Sequence, residues 1–309
     1  MIQKTLRNLI NSTFVVAALA LFGGTALAQY PIGNSHLSDM KPGSVLFFNR
    51  YSSNPISPQL GDTQINITNV ASAPVDIHLF LVDGGSCSVA DSFIGLTKFQ
   101  TASFLVSDFD PGIQGYIVAV AVNGGPTRQN TLIGTEFIRE SDGRTGYLQA
   151  ISIAKRSPGE VIPNDNGEAV LNFNGVDYEQ LPTVLALAAF NSQTTDSTTL
   201  SIYSPSSNLI IGAVSTVNVF SLLYNDVEIS LSSSFTINCY RYDTLSALFS
   251  RSGGINRHVP SGRTGWIQFS ASGRPILGSV LGKGPVFTGA HNLHALTLLG
   301  SYSITVPSF

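Results

Sequence analysis

Apolar and polar residues alternate with a period of two through much of the chain. Across Thr63–Thr68, Ile65 and Ile67 fall on one face while Gln64, Asn66 and Thr68 fall on the other. Val227, Ile229 and Leu231 alternate in the same way with Glu228 and Ser230. Successive side chains of a strand point to opposite faces, so this pattern predicts antiparallel sheets with one face in a core and one in water. The turn signals Asp83-Gly-Gly85, Asp110-Pro-Gly112, Asn123-Gly-Gly-Pro126 and Asp142-Gly143 separate the runs, as in sandwiches and barrels. Tyr116–Val122 is apolar on both faces, which predicts a central strand covered on both sides or lying at an interface. One helix is expected, capped by Asp243 over Thr244–Arg251 and stopped by Gly253-Gly254.

The strand pattern rhymes with itself. Gly115-Tyr-Ile117 opens a strand that ends in a turn at Pro126 and is followed by Leu132-Ile-Gly134; Gly265-Trp-Ile267 opens another that ends at Pro275 and is followed by Ile276-Leu-Gly278, a shift of 150 positions. Ser44–Asn49 against Thr183–Asn191, and Asp62–Thr68 against Asp196–Ile202, follow in the same order. A shorter match, Gly143-Arg-Thr-Gly-Tyr147 against Gly262-Arg-Thr-Gly-Trp266, has an offset of 119 and competes with the longer one, which is preferred. The expected fold class is all-β: two tandem antiparallel β-sandwich domains after a signal peptide. The expected boundaries are a signal peptide at 1–28, a first sandwich at 38–156, a connection at 157–180 and a second sandwich at 181–309.

The signal peptide is read from Lys4 and Arg7, the short apolar run Phe14–Phe22, and Ala26-Leu-Ala28, with Gln29 as the first mature residue. That run falls short of the ~20 apolar residues that span a bilayer. Farther on, the most apolar stretch, Leu209–Tyr224, is broken by Gly212, Ser215 and Asn218, so no transmembrane helix is expected in the mature chain.

The Thr63-x-Ile65-x-Ile67-Thr-Asn69 run, the Asp83–Asp91 stretch around Cys87 and the Pro111-Gly112…Gly115-Tyr-Ile-Val-Ala-Val120 hairpin resemble exported bacterial β-sandwich proteins with a duplicated domain. Gly265-Trp-Ile267 with Pro275-Ile-Leu-Gly278 is similar to hairpins of secreted immunoglobulin-like bacterial domains. The resemblance spans about two thirds of the mature chain and rests on structural motifs. It implies an immunoglobulin-like fold and carries no activity. It also implies a second cysteine soon after the first, where this chain has Gly95.

Charged residues make up 11% of the chain, less than half of the about 25% usual in globular proteins. Such a composition excludes a coiled coil and an acidic disordered tail, and argues against a typical cytosolic α/β enzyme. No basic excess points to nucleic acid. Residues 29–180 carry net −7 and residues 181–309 net +2. The six bases of the second stretch, Arg241, Arg251, Arg257, Arg263, Arg274 and Lys283, are read either as a patch for an anionic ligand or as ordinary solvated turns.

The two cysteines, Cys87 and Cys239, leave two readings open in an oxidising compartment: a bridge between them, or a buried thiol at Cys239 and a free or intermolecular one at Cys87. His291 and His294 form the one close histidine pair. As strand residues they would point to opposite sides, so no metal site is expected. Asp76 and His78 share a strand face, as an acid–base pair or as part of a solvated sheet. Gly278-Ser-Val-Leu-Gly-Lys283 lacks the spacing and the final hydroxyl of a phosphate loop, and no hydrolase elbow or zinc motif occurs, so neither cofactor nor catalytic residues are expected.

These observations point to an exported, non-catalytic β-sandwich protein at or outside the cell surface, periplasmic or secreted, serving a structural, adhesive or interaction role. Its expected partners are surface glycans, other exported proteins or further copies of itself. Carbohydrate binding is the alternative; an outer-membrane β-barrel and an enzyme of unrecognised type rank behind it.

Overall fold

Alternating strands shape the molecule, seen here in a computed structural model that describes residues 38–109, 112–191, 197–213, 216–250, 254–260, 262–283 and 288–308. The expected signal peptide and the Asp110-Pro111 turn lie outside the described residues. The described chain is nearly all β, with strands in five antiparallel sheets, none of them closed.

Sheet I runs β4 (Val89–Leu96), β3 (Val75–Asp83), β6 (Gln114–Val122), β1 (Val45–Ser52), β9 (Ile151–Ile153); sheet II runs β5 (Thr101–Leu105), β2 (Asp62–Asn69), β7 (Leu132–Arg139), β8 (Thr145–Gln149). Sheet III runs β14 (Ser230–Ile237), β13 (Val217–Asn225), β16 (Thr264–Ala271), β11 (Pro182–Asn191), β19 (His294–Leu298). Sheet IV runs β15 (Tyr240–Thr244), β12 (Thr199–Tyr203), β17 (Leu277–Lys283), β18 (Thr288–Asn292). Sheets III and IV therefore repeat the order of sheets I and II with every strand number raised by ten. The remaining pair, β10 (Glu168–Asn172) and β20 (Ser303–Pro307), forms sheet V. Residues 157–180 thus hold a strand, and Phe173 and Tyr178 beside it are fully buried.

Alternation along β1 assigns its residues to two cores. Leu46 and Phe48 face sheet II, packing with Ile65, Ile67, Ile117 and Ala119. Val45 and Phe47 face the other way, with Val118 and Val120, onto Leu171 and Ile304 of sheet V and Tyr203, Tyr240 and Leu277 of sheet IV. Sheet I is covered on both faces, which accounts for the two-sided apolar run of β6. A third core, with Leu185, Ile202, Val219 and Phe269, lies between sheets III and IV.

Two local expectations fail for the same reason, a side chain capping the backbone. Val227–Ile229 is a turn and not a strand: Asn225 Oδ1 accepts from the amides of Val227 (3.1 Å) and Ile229 (2.8 Å), and Glu228 takes φ 64°. The helix covers Leu245–Leu248, with Thr244 as its cap through Ala247 N (3.3 Å), while Asp243 lies in β15 paired with Arg241.

Register slips in β1 between Phe48 and Tyr51 and in β11 between Leu187 and Phe190. The residue facing each bulged aromatic is glycine. A Cβ on Gly115 would lie 1.9 Å from the Val82 carbonyl and 2.9 Å from the Tyr51 ring; one on Gly265 would lie 3.1 Å from the Phe190 ring. Overpacking of this kind costs about 1–3 kcal/mol or more. In urea denaturation Gly115→Ala is expected to lose at least that, whereas Gly300→Ala, which meets open space, should stay within about 0.5 kcal/mol of the parent.

Candidate functional site

The bulge of β1 presents Asn49 and Arg50, both buried, out of the regular ladder. They serve opposite ends of one junction between sheets II and IV. Arg50, 1% exposed, donates through Nε (3.1 Å) and Nη2 (2.5 Å) to Glu140 Oε1, through Nη1 to Thr199 Oγ1 (3.1 Å) and through Nη2 to Tyr242 OH (2.9 Å). Its guanidinium also lies 4.6 Å from the centre of the Tyr242 ring. Arg144 joins from the turn before β8, donating to Thr199 Oγ1 (3.0 Å), Tyr242 OH (3.3 Å) and Asp142 (2.7 Å). A buried cation is costly unless its donors are filled, and four of the five N–H groups of Arg50 meet an acceptor here.

Glu136, fully buried on β7, belongs to the same junction. Burial pushes its carboxyl well above the usual carboxylate range, against the main-chain N–H of Arg50, the Arg50 charge and the Asn49 N–H. The folded chain therefore holds a proton that the unfolded chain releases above its ordinary carboxylate range, and stability falls as pH rises through that window. Glu136→Gln should match the parent below the ordinary glutamate range, near about pH 3.5, and exceed it near about pH 8 in denaturant titrations; an equal loss for both proteins would contradict the protonated state.

On the open side, Asn49 donates to Asn292 Oδ1 (2.8 Å) and to the Gly278 carbonyl (3.3 Å), and Tyr203 OH donates to Asn49 Oδ1 (2.9 Å). Asn292 Nδ2 in turn donates to the Gln149 carbonyl (2.7 Å). This chain of bonds floors a cleft of about 420 Å³ between β8–β9 and β17–β19, lined by Asp39, Tyr147, Gln149, His291 and His294 among others. The two histidine rings lie side by side, 6.1 Å between centres. Strand alternation was expected to separate them. It does not, because Leu293 is where the chain crosses from β18 in sheet IV to β19 in sheet III. His291 Nδ1 lies 3.0 Å from the Asn292 carbonyl, and loss of hydration holds its imidazole below the ordinary range, with His294 adding to the effect.

His78 is paired, though not with Asp76. Its Nε2 lies 2.9 Å from Asp91 Oδ2 on the neighbouring strand, and its ring sits 3.9 Å from Phe80 and 4.2 Å from Phe93. Burial lowers its pKa, while Asp91 pulls the other way. Asp76 is exposed.

Cys87 and Cys239 form a disulfide with Cα atoms 5.6 Å apart, joining the β3–β4 loop to the residues after β14. The four basic residues whose side chains are described, Arg241, Arg257, Arg263 and Arg274, are not gathered into one patch. Arg263 and Arg274 flank opposite ends of the eight-residue β16, about 25 Å apart at the rise of a strand. Arg263 donates to Asp226 (3.3 Å), Arg274 lies over the Tyr302 ring (5.8 Å) and Arg241 pairs with Asp243. Arg257 is exposed in a short helix, Ile255–His258. Arg251 lies outside the described residues, as does the placement of the Lys283 side chain. Among the described residues no three His, Cys, Asp or Glu side chains cluster to hold a metal ion, and no helix is long and apolar enough to cross a membrane.

Reasoning from the sequence missed Arg50, Glu136, Glu140 and Arg144. The available signal was the pair of charges interrupting apolar runs at Arg50 and Glu136.

No family model and no curated protein sequence matches the chain. Among solved structures it is similar to Thermotoga maritima 1070, at 11% identity over 39% of this chain and 100% of that one, with a TM-score of 0.29. It is also similar to the PBSX exported protein XepA, at 9% identity over 88% and 83% of the two chains and a TM-score of 0.21. For the apo lectin of Pleurotus ostreatus the identity is 11% over 88% and 84%, with a TM-score of 0.12. Such scores carry no assignment of fold or role.

Proposed function

We propose that the chain is an exported, non-catalytic interaction protein, built as two tandem immunoglobulin-like β-sandwiches that arose by duplication, acting at or outside the cell surface. The Cys87–Cys239 disulfide carries this reading, because such bonds persist in oxidising compartments and are rare in reducing ones. The leader-like residues 1–28 and the ten-strand shift between the sheets support it. The charged side chains at the junction of sheets II and IV are spent on joining it, which favours binding over catalysis. Expression of the full sequence in a bacterial host should deliver a shortened product without free thiols to the periplasm or medium. Full-length, cytoplasmic protein with two titratable thiols would contradict export. Reduction, or Cys87→Ser, should cost about 2–5 kcal/mol of stability in denaturant titrations, as expected for a link spanning 152 positions.

Carbohydrate binding is the second reading, favoured by one observation: the junction leaves an open cleft with imidazole, amide and phenol side chains along it. Hits on a glycan array support it, and a blank array contradicts it.

A further inference from the structure

We infer that the cleft between β8–β9 and β17–β19 binds a neutral saccharide, an inference that rests on the carbohydrate-binding reading and names its site and ligand class. The volume comes first: about 420 Å³ lies inside the about 300–1,000 Å³ typical of small-molecule sites. Charge narrows the ligand. Among the described residues lining the cleft there is no Lys or Arg, and Asp39 is the one carboxylate. An anionic sugar would be desolvated beside Asp39 with no basic side chain to meet it.

Polarity excludes a purely apolar ligand. Tyr147 OH, the Gln149 amide and both nitrogens of His294 make no hydrogen bond to a described residue, and His291 uses only Nδ1. A ligand without hydroxyl groups would strip water from these atoms and leave them unpaired. The cleft also has an apolar floor, with Leu185, Leu277 and Leu293 all buried. Tyr147, 56% exposed, offers a ring face at the rim. A pyranose matches both halves of this lining: its hydroxyls pair with imidazole, amide and phenol, and its C–H face packs on the Tyr147 ring and the leucines.

The site is prearranged. Asn49 and Asn292 spend their polar atoms holding β1, β8 and β18 together, so the hydrogen-bonding rim stands on rigid strands.

The test is calorimetric titration with cellotetraose, maltotetraose, mannotetraose and tetragalacturonate, followed by NMR of the imidazole signals. At least one neutral tetrasaccharide should bind and shift the signals of His291 and His294. Tyr147→Ala and His294→Ala, both at exposed positions, should each weaken it about tenfold, the loss of one good contact. Trp266→Ala, on sheet III away from the cleft, should leave it unchanged. Preference for tetragalacturonate overturns the ligand class. Neutral binding that survives both cleft variants overturns the site, while the carbohydrate-binding reading stands. Absence of binding by all four, together with a blank glycan array, removes both.

Discussion

The structure depends on covering sheet I from both sides. Its central strand, β6, carries apolar residues on both faces, and only one face can be served by sheet II. Left bare, the other face would expose Phe47, Phe80, Val118 and Val120 together. Each such side chain contributes about 1.5–3 kcal/mol when buried, so the face compels association with whatever lies next in the chain. Sheet V and the outer side of sheet IV supply the cover, with Tyr203 stacked on Tyr116 at 4.0 Å between ring centres. On sheet III the outward positions differ by strand: β14 turns out Ser230, Ser232, Ser234 and Thr236, whereas β13 turns out Asn218, Phe220, Leu222 and Tyr224.

That packing creates both polar features of the molecule. Stacking sheet IV on sheet I brings its edge against sheet II, where Ile138 and Leu148 meet Leu281 and Ala290. The bulge of β1 then turns Arg50 into the sealed part of the seam and Asn49 toward its open end. One side carries an ionic cluster of Arg50, Glu140 and Arg144; the other carries a hydrogen-bonding cleft. The matching bulge in β11 holds Ala188-Ala189 in place of Asn49-Arg50.

Strand content was legible because period-two alternation is a local property. The two-sided burial of β6 followed from the same rule, since only a strand covered twice tolerates Tyr116–Val122. What escaped detection depends on partners distant in sequence. Arg50 meets Glu140 ninety positions later and Thr199 after a further gap, and nothing near Arg50 announces either. His78 takes Asp91 from the adjacent strand, where proximity along the chain pointed to Asp76. Alternation misplaced His291 and His294 because it assumes an unbroken strand, and Leu293 is a crossing between sheets. At Val227–Ile229 the Asn225 side chain outcompeted the ladder for two amides, a local effect that the apolar pattern masked.

If sheet I draws its outer cover from the second half of the chain, neither half holds its native packing alone. Differential scanning calorimetry of the mature protein addresses this directly. A single transition, with calorimetric and van't Hoff enthalpies equal, is the result predicted by a shared core. Two resolved transitions, one half melting while the other keeps its near-ultraviolet dichroism, would contradict it.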